Sequence, residues 1–208
     1  IIDEFQDMQT SVYNMPKEKE LIEKILEVTR YSPTASNTEN VFYSILQEKD
    51  IIRNISETIT ANLTKFVELS KNEKGKEVLK KTMDEQAYQL AIESLPRTIE
   101  ILKTVKRGID FWCWDAPMLI IIHGERNVGG ISGNSALAAA HVMLLAETLD
   151  LSTCSLGYLK YFSNGSKIIK QMIGVPKDHD VGYCLSIGFP TVKYKTIPHR
   201  EELKIKWI

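Results

Sequence analysis

The segment Leu151–Tyr158, LSTCSLGY, gathers residues that leave the main chain uncovered. Ser152, Thr153, Ser155 and Gly157 offer backbone amides and short hydroxyls, a surface suited to a flat polar ligand; the same composition also suits an ordinary turn after a buried helix. A second set of short hydrogen-bonding groups falls in Ser32–Asn37, SPTASN. Pro33 biases Ser32 away from helical angles, so this set is expected as a loop that ends the preceding helix.

Side chains that could carry out a reaction themselves are scarce, and no acid, base or nucleophile constellation is evident. Asp178-His179-Asp180 has metal-ligand residue types, but three consecutive residues cannot all face one ion, and a solvated loop before a strand is expected there. His141 lies on an apolar helix and reads as a satisfied core or interface histidine. Cys113, Cys154 and Cys184 are odd in number and widely spaced, which predicts reduced, mostly buried thiols.

The element that must position LSTCSLGY is the helix before it, GNSALAAAHVMLLAETLD, apolar at nearly every turn and therefore buried. Ser132 or Asn134 is the expected N-cap. Ala136, Ala138, Ala139 and Ala140 permit close approach of another helix, as at a central or dimer-interface position. Upstream, an amphipathic helix runs from Pro16 to about Tyr31, and Val41–Gln47 reads as a strand. From Asp50 to about Arg107 the pattern is helical, broken near Lys71–Gly75 and at Pro96; its broad polar faces predict an excursion over the core. The aromatic patch FWCWDAP, Phe111–Pro117, leads into MLIIIHG, short enough for a central strand. A short helix at Asn164–Ile173 and a strand at Val181–Gly188 follow. In the tail, Leu203, Ile205 and Trp207 alternate with charge, which predicts a strand with one face to bury, of the kind that pairs with a partner's sheet edge.

The chain has 208 residues, 43% of them hydrophobic, enough for one sizeable core, so residues 1–208 are expected as a single domain. Lys plus Arg number 26 against 27 Asp plus Glu, with no local basic cluster, which argues against nucleic-acid binding. No apolar run reaches the roughly 18 residues of a membrane span and the start lacks a signal-peptide pattern, so no membrane association and a cytoplasmic location are expected.

In order and spacing, RYSPTASN, DAPMLIIIHG, the Gly133 helix with its TCSLGYL loop, and YCLSIGFP followed by PHREELKIKWI resemble the FMN-dependent nitroreductase family. The resemblance covers most of Pro16–Ile208 and leaves the excursion, about residues 50–111, unmatched. It implies an α+β nitroreductase-like fold: a short mixed sheet covered by helices, in an intertwined homodimer with an exchanged C-terminal tail. It implies FMN as cofactor, NAD(P)H or a ferredoxin-like donor, and a nitroaromatic, quinone or related small acceptor. Pro33, Thr34, Ala35 and Asn37 match the segment that contacts flavin from the opposite subunit, though they also suffice to stop and cap helices. Leu156 and Gly157 match the position of a backbone amide opposite flavin N5 and of a glycine that lets the ring lie close. Lys195 and Arg200 match basic residues on the FMN phosphate. Trp112 and Trp114 either close over the substrate face or pack in the core. The family's N-terminal arginine-rich segment has no counterpart in residues 1–16; it is expected upstream of Ile1, as would be the cysteines of an iron–sulfur module. The missing arginines and the absence of an acidic residue at Leu156 leave a flavin-binding or structural dimer with little turnover as the alternative.

Overall fold

Leu119–Glu125 forms strand β3 at the centre of the sheet in the computed structural model, which describes residues 12–13 (backbone only), 19–192 and 199–208. The other strands are β1 (Val12–Tyr13), β2 (Phe42–Leu46), β4 (Ser152–Ser155) and β5 (His179–Pro190). β5 lies between β3 on one side and β1 and β4 on the other, and β2 forms the far edge beyond β3. The sheet expected as mixed is antiparallel in every described pairing. The reason is connectivity: the long excursion leaves β2 and rejoins β3 at the same end of the sheet, so the two strands run in opposite senses.

The unbroken apolar run in β3 follows from a sheet covered on both faces. Leu119 and Ile121 join one core cluster with Ile55 and Ile59 of helix α2 (Lys49–Leu69). Ile120 and Ile122 join the other with Ala138, Ala139 and Val142 of helix α6 (Ile131–Thr148) and Ile22 and Ile25 of helix α1 (Lys19–Thr29). Residues 119–122 are fully buried, each contributing roughly 1.5–3 kcal/mol of apolar burial. The excursion contains α2, α3 (Glu73–Thr82), α4 (Glu85–Glu93) and α5 (Leu95–Lys106), with Pro96 in the first turn of α5. It is not wholly peripheral, because α2 supplies core isoleucines.

The FWCW segment is held by one carboxylate. Asp110 accepts from Ser56 Oγ at 2.7 Å and from the amides of Trp112, Cys113 and Asp115 at 3.1 Å, fixing a turn in which Trp114 and Asp115 take left-handed angles. Trp112 and Trp114 are buried in the core, and Trp112 Nε1 donates to Thr60.

Asp178–Asp180 departs from the expected solvated loop, since His179 and Asp180 already belong to β5. Asp180 is bound by Arg126 and Lys170, both at 2.9 Å. His179 is buried, its Nδ1 2.8 Å from Nδ1 of buried His123. Ser44 Oγ donates to the Gly174 carbonyl and therefore accepts from His123 Nε2, at 3.1 Å. His123 is thus the neutral Nε2–H tautomer, with Nδ1 accepting from His179. Burial, then the charge of His179, push its pKa down to about 4. An unfolded histidine titrates near 6.5, so the unfolded chain takes up this proton first as pH falls. His123's contribution is therefore complete well above pH 6.5 and is lost as pH falls from about 6.5 to about 4. Urea midpoints measured across this window should fall less steeply in His123→Gln than in the parent; equal slopes would count against this assignment.

Candidate functional site

α6 ends where Asp150 takes a left-handed φ of 57° and the Leu151 amide turns back to the Ala146 carbonyl at 2.9 Å. The following residues, expected as a loop, form β4, paired with β5 from Ser152 opposite Gly188 to Ser155 opposite Leu185. Ser-Thr-Cys-Ser lacks the alternation that marks a strand; its pairing partner lies some thirty residues away. Ser155 Oγ and Tyr183 OH, 2.7 Å apart, fasten its end.

Leu156 and Gly157 then part company. The Leu156 amide donates to the Cys184 carbonyl at 2.9 Å and its side chain is buried in the core, so its N–H is spent inside the sheet and not open to a ligand. Gly157 opens helix α7 (Gly157–Gly165). Its N–H and those of Tyr158 and Leu159 have no acceptor one turn back within the helix, and the positive end of the helix dipole lies there. A Cβ at Gly157 would meet nothing within 4 Å, so this helix start borders open space on the side where a side chain would stand.

The Ser32–Asn37 loop contains a 3-10 turn, Ala35–Asn37, and is fastened to α6 near its start and past its middle. Ser32 Oγ pairs with His141 Nδ1 at 2.5 Å, and the Ala35 amide donates to Asn134 Oδ1 at 2.9 Å. Asn134 therefore anchors the loop instead of capping α6; Gly130, at φ 85°, occupies the N-cap. Thr34 Oγ1 accepts from the Glu39 amide, and Ser36, Asn37 and Glu39 all take left-handed angles. Pro33, Ala35 and Asn37 are exposed and Thr34 half-buried, so the loop offers short polar groups outward. Among the described residues no hydrogen bond joins it to Leu156 or Gly157: it is bonded to α6 at Asn134 and His141, whereas β4 follows the end of that helix, roughly 10 Å of helix beyond His141.

The sequence matches the nitroreductase family over residues 14–189. The chain belongs to the nitroreductase family. The same nitroreductase fold is seen in a Bacteroides fragilis NCTC 9343 nitroreductase with bound FMN, at 17% identity over 99% of this chain and 98% of that one, TM-score 0.61. A nitroreductase with bound FMN from Desulfitobacterium hafniense DCB-2 is similar at 15% identity over 98% of each chain, TM-score 0.62. A mutant of an FMN and NADPH-dependent nitroreductase from Sphigopyxis sp. strain HMH gives 15% identity over 95% and 92%, TM-score 0.62. No curated protein matches the sequence significantly.

Two further nitroreductase expectations fall in or near the tail. Lys195 lies outside the described residues, and Arg200 is exposed. Residues 199–208 form no strand within the chain, contrary to the alternation, and Leu203, Ile205 and Trp207 stand exposed. A lone strand without a pairing edge is not stable in water. Sequence reasoning also missed Tyr158, Tyr161 and Phe162, which line a cavity beside Gly157; their spacing of three and four along one helix was the available signal.

Proposed function

We propose that this chain is an FMN-dependent oxidoreductase working as a homodimer, taking two electrons from NAD(P)H or a ferredoxin-like donor to a nitroaromatic, quinone or related small acceptor. The observation that carries this reading is Gly157: a side-chain-free position at a helix start whose first amides have no acceptor among the described residues, with open space where a Cβ would stand. These donors fit the electron-rich edge of a reduced flavin ring. FMN, when bound, supplies the two-electron redox chemistry, which agrees with the lack of an acid, base or nucleophile constellation.

The residues' part is to bind and orient. Gly157 leaves room for a ring beside the α7 amides, and Thr34 and Asn37 have the polar groups for the ring edge and ribityl chain. Arg200, with Lys195, has the charge for the phosphate. The loop is bonded to α6 and not, among the described residues, to Gly157, which agrees with a site that draws the two from different subunits. α6 supports this: Ala136, Leu137 and Leu144 stay exposed on a helix whose other face packs on the sheet, and Leu144 is 69% exposed. An exposed apolar tail adds a second surface for a partner.

Purified protein should be yellow, or become so with FMN, should bleach anaerobically on NAD(P)H or reduced ferredoxin, and should regain colour with a quinone. A colourless protein that cannot be reconstituted would end the reading. Light scattering should give the mass of two chains.

A further inference from the structure

Beside Gly157 lies a cavity of about 990 Å³, large enough for a small organic molecule. Two parts of the fold make its walls. The excursion supplies aliphatic residues such as Val78, Leu90 and Ala91, and α7 supplies the aromatic faces of Tyr158, Tyr161 and Phe162, backed by buried Trp112 of the FWCW turn. Such faces hold a flat ring by stacking or edge contacts. Val78, Leu90 and Tyr161 stay 45%, 58% and 67% exposed along this lining, apolar area that a ligand would cover.

The charge of the lining is one-sided. Its ionic residues are Lys65 of α2 and Arg97 of α5, and no aspartate or glutamate lines it. Neither cation is ion-paired among the described residues. The Arg97 guanidinium stands 5.7 Å from the centroid of the Tyr158 ring, so a cation borders the aromatic wall one residue from Gly157. A ring on that wall with a negative substituent directed to Arg97 satisfies both features, and the planar fork of Arg97 suits a carboxylate.

We propose that this cavity binds a flat aromatic anion, an aromatic carboxylate, and that the acceptor is such an anion whose ring also carries the nitro or quinone group that takes the two electrons. Its role as acceptor site rests on the flavin reading above; the binding itself does not. The excursion is then a specificity element, with Arg97 the anion-recognising residue and Lys65 adding to the field.

Calorimetric titration with 2-naphthoate, neutral 2-naphthamide and cationic 2-naphthylmethylammonium tests this, with FMN uptake measured on the same preparation. Naphthoate should bind once per chain, about tenfold or more tighter than the amide, with the cation weakest. Arg97→Gln, a surface change, should bring naphthoate down to the level of the amide and leave the amide unchanged; Ala91→Trp, which fills the cavity, should weaken both. Equal affinity for the three probes, no naphthoate binding, or naphthoate binding indifferent to both substitutions would overturn the proposal. Naphthoate binding without FMN uptake would sustain the site and remove the flavin reading; FMN uptake without naphthoate binding would do the reverse.

Discussion

Replacing Gly157 with leucine is expected to weaken FMN binding by roughly 100-fold, about 2.7 kcal/mol, while the protein keeps its fold. The separation of the two effects follows from the local geometry. The glycine has no left-handed φ and a Cβ there would touch nothing within 4 Å, so a side chain meets neither strain nor clash in the chain itself. Leucine is moreover the better helix former at the start of α7, so thermal stability should hold or rise slightly. What the side chain does occupy is the open space beside the helix start, where the proposed ring would lie. Quenching of flavin fluorescence would give the affinity, and circular dichroism melts would give the fold. Unchanged affinity in a folded variant would remove Gly157 from the cofactor site. Leu156→Ala should behave oppositely, losing stability by about 2–5 kcal/mol through its buried side chain, because the Leu156 amide is committed to Cys184.

Which parts of this arrangement could be read from the sequence depended on where each residue's partner lies. β3 announces itself because four consecutive residues need apolar surroundings on both faces, and the excursion because its helices are locally periodic. β4 does not, since Ser152–Ser155 is a strand only by virtue of β5. Asn134 looked like a cap because caps are local; its actual partner, the Ala35 amide, is 99 positions away. The histidine pair was hidden for the same reason, with 56 positions between His123 and His179. Leu156 and Gly157 matched the family pattern equally well as adjacent letters, and only the sheet bond from Leu156 told them apart. The cavity was the least legible, being assembled from four excursion helices, the FWCW turn and α7.

Gly182→Ala is expected to destabilise the protein by about 3 kcal/mol, although it adds one methyl group. Gly182 sits at an irregularity of β5: Val181 opposes His123 and Tyr183 opposes Ile122, leaving Gly182 without an opposite residue in β3. There α6 comes close to the strand. A Cβ on Gly182 would collide with the side chain of Ser135 and stand 3.0 Å from the Ile131 carbonyl oxygen, a backbone atom that cannot swing aside. Ser135 is itself fully buried, and rotating its hydroxyl would leave its Cβ in the same collision. Relief therefore requires α6 to lift from β5. That movement would reach the proposed cofactor site from both sides, because α6 holds the Ala35 loop through Asn134 while β5 holds Leu156 through Cys184. The clash with the Ser135 side chain predicts its own remedy. Ser135→Gly alone should cost about 0.5–1 kcal/mol as a glycine inside a helix, but combined with Gly182→Ala it should return about 2 kcal/mol of the loss, a coupling that urea unfolding of the four proteins in a double-mutant cycle would measure. Strict additivity would mean that the crowding lies elsewhere, whereas coupling of this size would assign the close approach of α6 and β5 to this one pair.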